Sequence, residues 1–199
     1  MKKILILTIA ALAFACTEAS AQSWLDALKS AASTAIDKVT GGKLTEKAIV
    51  GTWSYTQPGV KLSSSDTLSE LAASAASSTM QSKLATYYTK VGIKAGTCSF
   101  TFNSDGTFTS KFGQKSANGT YTFDASTYKL SLKYNSGIFN MGAIPAYAYM
   151  NGTNLQIVFP MDKLLTILTS LGSSIDSLST ITTLLQKYDR VKIGFEFKK

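Results

Sequence analysis

The chain is constrained most by an alternation of apolar and polar residues that begins near Thr97 and recurs almost to the C-terminus. A period of two residues directs one face of a segment to a core and the other to solvent, which is typical of an antiparallel β-sheet. Residues 49–56 alternate large and small side chains in strand fashion and add one earlier segment. The apolar faces of the later segments carry Cys98, Phe100 and Phe102; Phe108 and Phe112; Tyr121 and Phe123; Tyr128, Leu130, Leu132 and Tyr134; Tyr147 and Tyr149; Leu155, Ile157 and Phe159; and Val191, Ile193, Phe195 and Phe197. The pattern predicts eight strands with one apolar face each.

The lengths of the turns indicate how these strands are connected. Residues 103–106, 124–127 and 151–152 are typical of tight hairpins that join strands two to three, four to five and six to seven. The other four connections are predicted to be longer. Alternate connections of an up-and-down barrel lie at the same end. We therefore expect one end closed by short turns and the other covered by the long connections.

Three segments have helical periodicity instead. An N-terminal helix is predicted to begin at Ser23, which caps it, and to end at the glycine pair 41–42. Helical insertions are predicted at 63–91 and 161–187, between strands one and two and between strands seven and eight. The fold class is therefore mainly β with helical insertions: an eight-stranded antiparallel up-and-down barrel with an N-terminal helix and two helical insertions at its open end.

The N-terminus has the pattern of a secretory signal. Two lysines at positions 2 and 3 precede an apolar run at 4–15, which is too short to span a bilayer, and an A-x-A site at 19–21 predicts cleavage before Gln22. The alternative is a lipoprotein anchored through Cys16. We expect an exported protein, periplasmic or extracellular. The predicted domains are a signal peptide at 1–21, an N-terminal helix and linker at 22–48, and the barrel at 49–199.

Composition excludes several classes of function. The 199 residues contain no histidine, which excludes Ser-His-Asp and Cys-His catalytic sets and every His-ligated metal site. The formal charge of +8 comes from scattered lysines and a single arginine, whereas a nucleic-acid-binding face would require a cluster. Most carboxylates lie at helix starts or turns, where capping explains them. We therefore expect no enzyme activity, no cofactor, no metal and no nucleic-acid partner.

Two stretches resemble the lipocalin-like (calycin) group. Residues 51–53 match its G-x-W signature on the first strand, and a helix precedes them, as is usual in that group. Residues 102–108 and 119–121 are similar to small lipocalin-like domains of exported Gram-negative bacterial proteins. The resemblance implies a barrel that binds a small apolar or amphipathic molecule. In lipocalins a basic residue reaches the signature tryptophan, and the resemblance offers Arg190 or Lys192 for this contact with Trp53; a solvated position of these side chains is the open alternative.

Aromatic side chains are the surplus of this sequence, and the strand directions divide them into two sets. One set is expected to form solid core at the end with the short turns, and the other to lie nearer the helical end, where tyrosines suit a pocket. The core set consists of Gly51, Trp53, Phe102, Phe108 and Phe123, with Tyr128 and Leu155 at the same level. The candidate ligand-binding set consists of Tyr55, Phe112, Tyr121, Tyr134, Tyr147 and Phe159.

Two functions remain open from the sequence. The first is an exported, non-enzymatic protein that binds a small apolar or amphipathic ligand between the barrel mouth and the helices. The second is a structural or interaction module whose filled barrel presents its helices to an envelope protein or surface. An eight-stranded barrel is just wide enough either to be filled by side chains or to hold one small ligand.

A membrane-spanning barrel is disfavoured because apolar segments of six to eight residues are shorter than the roughly nine to eleven such strands require. The sequence does not indicate an oligomeric state.

Overall fold

A computed structural model describes residues 33–62, 67–136, 142–172 and 191–199, together with Ser179 and Thr182. Its eight antiparallel strands form a closed barrel in chain order, which confirms the predicted fold class. The strands are β1 (Gly51–Leu62), β2 (Cys98–Phe102), β3 (Thr107–Phe112), β4 (Lys115–Asp124), β5 (Lys129–Ser136), β6 (Ala143–Asn151), β7 (Asn154–Phe159) and β8 (Val191–Lys198). The helices are α1 (33–39 as described), α2 (Lys43–Ala48), α3 (Thr67–Lys90) and α4 (Met161–Ser170). The predicted signal peptide and the region 183–190 lie outside the described residues.

Two strands are longer than the alternation predicts. In β1 the pairing register shifts between Tyr55 and Gln57, and this irregularity interrupts the pattern before the strand continues to Leu62. β4 begins at Lys115, earlier than the sequence pattern predicts. The pattern did not show this, because the inward positions Ala117 and Gly119 have no large side chain to mark a strand. The β3–β4 connection is consequently a two-residue turn, and the prediction that it is long was wrong.

The N-terminal region forms two helices, whereas the sequence predicted one helix and a linker. Gly42 separates them with a φ of 79°. A Cβ at this position would lie 2.2 Å from the backbone oxygen of Ala125, so only glycine fits against the β4–β5 turn. Ser33 Oγ donates to Gly152 O (3.0 Å) in the β6–β7 turn. The two helices therefore pack against the barrel end that carries the short turns.

Aromatic rings fill the barrel interior. Phe100, for example, packs against four other rings, those of Phe102, Phe108, Phe112 and Phe197, with centroid separations between 5.5 and 6.1 Å. The apolar faces of the strands thus point inward, opposite to a membrane barrel whose aromatic residues face lipid. At the helical end α3 buries Met80, Leu84 and Tyr88, and the Tyr88 hydroxyl donates to Gly194 O (3.1 Å). α3 is therefore part of the core as well as a cover.

Candidate functional site

The end with the short turns is sealed around Trp53. Its ring is 1% exposed, its Nε1 donates to Ile49 O (2.7 Å), and Lys199 Nζ lies 4.8 Å from the ring centroid and donates to Val50 O (2.9 Å). The basic residue at Trp53 is therefore Lys199. Lys192 does not make this contact, since β8 runs toward this end and Lys192 lies at its far end. Arg190 lies outside the described residues.

A buried polar cluster joins α1 and α2 to the same end. The Asp37 carboxylate, 3% exposed, accepts hydrogen bonds from Thr45 N (2.9 Å) and Thr45 Oγ1 (2.5 Å). Thr45 Oγ1 accepts from Met150 N (3.0 Å), and the Tyr128 hydroxyl donates to Asp37 O (3.1 Å). Every buried polar atom of this cluster has a partner here, so the cluster stabilises the seal and leaves no group for a ligand.

The opposite, helical end contains a groove between β1 and the C-terminal half of α3. Its volume is about 380 Å³. The lining residues are Tyr55, Thr56, Gln57, Pro58, Ala85, Thr89, Ile93, Lys94 and Ala95. Its apolar surface comes from Pro58, Ala85 and Ile93, while Lys94 is exposed and makes no ion pair with a described residue. The groove is thus an apolar trough with one cationic group.

Tyr55 forms the buried part of this groove. The residue is 4% exposed, and its ring meets Phe195 and Phe197 edge-on at centroid distances of 6.0 and 6.1 Å. Its hydroxyl makes no hydrogen bond with any described residue. Burial raises the pKa of this hydroxyl well above its ordinary value, and the neighbouring Cys98 raises it further. Tyr55 therefore stays a neutral hydrogen-bond donor throughout the physiological pH range.

A smaller hollow of about 180 Å³ lies beside the groove, on the other side of Ile93. Phe112, Val91 and Leu171 line it, where the β3–β4 turn meets the ends of α3 and α4. Lys115 Nζ donates to Ser170 O (3.1 Å) and holds α4 to that turn. Both cavities lie at the helical end of the barrel and share Ile93 as a lining residue.

The six candidate ligand residues lie in different places. Tyr55 and Phe112 line the two cavities at the helical end. Tyr134 and Phe159 are core residues, 4% and 1% exposed, and Tyr134 meets Phe108 edge-on at 5.0 Å. Burial raises the pKa of the Tyr134 hydroxyl well above its ordinary value, and the neighbouring Ser110 partly offsets this. Of these four residues, Tyr55 and Phe112 line the two cavities described above, and Tyr134 and Phe159 pack in the core.

Tyr121 was wrongly expected at the helical end. Its ring packs on Phe102 at 4.9 Å, and its hydroxyl donates to Asn103 O (2.9 Å) in the β2–β3 turn. Burial raises the pKa of this hydroxyl, and the charge of Asp105 raises it further. The position follows from the early start of β4, which places Tyr121 near the end of the strand rather than at its beginning.

Tyr147 and Tyr128 were wrongly expected inside the barrel. In β6 the buried positions are Ile144, Ala146, Ala148 and Met150, so the tyrosines of this strand face outward. Tyr147 carries Lys192 Nζ at 4.3 Å from its ring centroid, and Tyr128 stacks on Tyr149 at 4.9 Å. The sequence interpretation gave the interior to the larger side chains, although Ile144 and Met150 are in phase with the alanines.

The core set was otherwise close to its expected place. Phe102 and Phe108 are each 1% exposed, Leu155 is fully buried, and Gly51 has a φ of 126° beside the Lys199 side chain. Phe123 is only partly buried.

The groove residues of α3 and of the loop that follows it were not found from the sequence. Ala85, Ile93 and Lys94 carry no motif, and only the packing of α3 on β1 brings them to Tyr55.

Within the described residues no three His, Cys, Asp or Glu side chains are grouped to hold a metal ion. No helix of that part of the chain is long and apolar enough to cross a membrane. Cys98 is a buried free thiol, and burial raises its pKa.

Comparisons with known proteins agree with this architecture. The model of a family described as "Lipocalin-like domain (DUF4923)" matches residues 26–199. The match includes both helices of the sealed end, the barrel and its helical insertions. Neither the curated proteins nor the solved structures gave a significant match.

Proposed function

The chain belongs to the lipocalin-like domain family DUF4923, and we propose that it is an exported, non-enzymatic protein that binds a small amphipathic molecule. The binding site is the groove between β1 and α3. This differs from a ligand held in the barrel lumen, because aromatic side chains occupy that space.

The observation that carries the proposal is the Tyr55 hydroxyl. The Tyr55 side chain is buried but lines the groove, and a ligand there can replace the water at its hydroxyl with a direct hydrogen bond, worth roughly 0.5–1.5 kcal/mol net. Tyr55 is 4% exposed, lines the groove and has no acceptor among the described residues. A ligand that brings an acceptor into the groove gains this hydrogen bond from the Tyr55 hydroxyl. Tyr88, the other buried tyrosine nearby, already donates to Gly194 O and needs no ligand.

The size and polarity of the groove indicate the class of ligand. Its volume of about 380 Å³ is near the lower limit of small-molecule sites, roughly 300–1,000 Å³. Pro58, Ala85 and Ile93 suit a short apolar chain or ring, and the exposed Lys94 suits an anionic head group. We infer an amphipathic anion with a short apolar part.

The filled interior favours a second candidate function. A barrel whose interior is packed with aromatic rings suits a structural or interaction module that presents its helices to an envelope protein or surface. The two candidates differ in one property, since only the first requires a ligand in the groove.

A blocked groove tests the proposal. We expect the folded protein to bind the anionic apolar dye 8-anilinonaphthalene-1-sulfonate with saturable fluorescence, and decanoate to displace it. Ala85→Trp fills the groove from α3 and is expected to abolish dye binding. Thr86→Trp is the matched control, since the neighbouring position is exposed and outside the groove.

Tyr55→Phe tests the hydroxyl itself. It is expected to weaken decanoate binding by about two- to tenfold, the equivalent of one net hydrogen bond. Tyr134→Phe, which removes a hydroxyl from the core, is expected to leave binding unchanged. Failure of the parent protein to bind dye and decanoate, or full binding by Ala85→Trp, contradicts the ligand role and leaves the interaction module.

A further inference from the structure

A third cavity lies on the outer wall of the barrel, away from the groove. It is a hollow of about 320 Å³ across β4, β5 and β6. The pairing register places Thr122 opposite Ser131, Ser131 opposite Pro145, and Lys129 opposite Tyr147. Outward side chains of three adjacent strands therefore converge on it, and no helix of the described residues lines it.

A tyrosine ring borders the hollow. Tyr147 is half-buried and nearly parallel to Tyr149, with 7° between the rings and 6.5 Å between their centroids. Lys192 Nζ, 4.3 Å from the Tyr147 centroid, comes from β8, which lies on the far side of β6 from the hollow. Lys192 and Tyr149 thus both pack against the ring that lines the hollow.

The polar groups around the ring are available for a ligand. The hydroxyls of Thr122, Ser131 and Tyr147 and the amine of Lys129 make no hydrogen bond or ion pair with a described residue. Asp124, the carboxylate at the rim, is already engaged by its own turn, because it accepts from Ser126 N (3.0 Å), Ser126 Oγ (2.7 Å) and Thr127 Oγ1 (2.7 Å). The hollow therefore offers donors and hydroxyls beside an aromatic face.

We propose that this hollow is a second binding site, for one pyranose ring of a saccharide that stacks on Tyr147 and hydrogen-bonds to Thr122, Ser131 and Lys129. A pyranose has an apolar C–H face and a rim of hydroxyls, which is the complement of this arrangement. A wholly apolar ligand is disfavoured because it would remove the hydroxyls and the amine from water without giving them partners. The volume, at the lower limit of small-molecule sites, suits one sugar unit. The proposal is independent of the ligand in the β1–α3 groove.

Titration by two-dimensional amide NMR tests the site with named sugars. The probes are the methyl glycosides of glucose, galactose, N-acetylglucosamine and glucuronic acid. We expect at least one to shift the amide signals of Thr122, Ser131 and Tyr147 saturably at millimolar concentration, with the signals of Ala85 and Ile93 unchanged. The absence of saturable shifts with all four overturns the proposal.

Variants separate stacking from general effects on the fold. Tyr147→Ala is expected to weaken binding of the responding glycoside about tenfold or more, whereas Tyr147→Phe keeps the ring and should remain within about threefold of the parent. Thr122→Val removes one hydroxyl at constant shape and should also weaken binding. Tyr121→Phe, at the sealed end, is the control for a tyrosine hydroxyl elsewhere. Unchanged affinity in Tyr147→Ala, with an unchanged melting temperature, overturns the assignment.

Oligosaccharides that end in the responding sugar distinguish the source of the ligand. Binding with the same dependence on Tyr147 identifies the end of a glycan as the ligand. Binding of the methyl glycoside alone identifies a free monosaccharide, because the hollow then excludes a continuing chain.

Discussion

At the scale of single residues, Trp53 connects three parts of the molecule. Its ring is buried, its Nε1 binds Ile49 O behind α2, and Lys199 at the end of β8 lies over it. Trp53→Ala should lower the free energy of unfolding by about 3–5 kcal/mol. Lys199→Ala should cost about 0.5–1 kcal/mol, as for an exposed cation–π pair. Urea denaturation measures both, and an unchanged midpoint for Trp53→Ala would contradict the role of this ring.

Glu196 is a buried carboxylate whose partners are amides. It faces the outer side of β8 at 1% exposure and accepts hydrogen bonds from Gln57 (3.0 Å), Asn151 (3.1 Å), Asn154 (2.8 Å) and Gln156 (2.7 Å). Glu196→Ala should destabilise the fold by roughly 1–3 kcal/mol, since it leaves the buried amide of Gln156 without its acceptor, whereas the part-buried amides can turn to water. Glu196→Gln keeps an acceptor and should cost less. Equal unfolding midpoints for the two variants would show that the amides find other partners.

Two carboxylates in turns, Asp105 and Asp124, make the free energy of unfolding depend on pH. Hydrogen bonds from Ser126 and Thr127 lower the pKa of Asp124, and those from the Thr107 hydroxyl and amide lower the pKa of Asp105. A carboxyl group whose pKa is lower in the folded than in the unfolded state stabilises the fold at pH values above its unfolded-state pKa. This contribution is lost as the pH falls through the folded-state pKa. The free energy of unfolding should therefore fall below about pH 4. Asp124→Asn should flatten part of this slope in urea titrations, and an identical slope in parent and variant would contradict the assignment.

Single residues also mark the limit of prediction from the sequence. The G-x-W pattern identified Trp53 as core, because a large ring in a small barrel has few other places. Lys199 was missed since its contact depends on where β8 ends relative to β1, which is a matter of register. The register opposes Ser54 to Lys198 and so brings the last residue to the ring.

At the scale of elements, alternation predicted the number and order of strands but failed on phase where inward residues are small. β6 directs Ala146 and Ala148 inward and its tyrosines outward, because rings from other strands already fill the core. Ala148→Leu should therefore overpack the interior and cost about 1–3 kcal/mol. Ala143→Leu, on the same strand but exposed, should change stability by no more than about 0.5 kcal/mol. Thermal melts of both variants measure this difference. Equal melting temperatures would indicate that the tyrosines of β6 face inward, as first predicted from the sequence.

Helical elements show the same limit for the candidate site. The sequence predicted a helix between the first two strands, and α3 lies there. The groove that it forms with β1 was not predicted, because Ala85, Ile93 and Lys94 become a site only when α3 packs against Tyr55. Local periodicity contains no information on that packing.

At the scale of the whole molecule, the two barrel ends have different roles. The end with the short turns is closed by α1, α2 and the Trp53 contacts, and the helical end bears the groove. The helices predicted in the first and last connections were enough to predict which end is which, although the β3–β4 connection at the helical end is short. It did not predict that the lumen is filled, because this depends on how the rings of all eight strands interlock.

Export is a property of the whole chain and gives the last prediction. Cleavage before Gln22 would remove two lysines and Glu18, which changes the formal charge from +8 to +7. It would leave intact the contacts from Ser33 to Gly152 and from Asp37 to Thr45 that close the barrel. We therefore expect protein recovered from the periplasm or the medium to begin at Gln22 by intact mass, and to melt at the same temperature as a chain expressed from Gln22 directly. A mass that corresponds to a diacylated Cys16 would contradict this prediction and make the protein membrane-anchored, with about sixteen residues between the lipid and the sealed end.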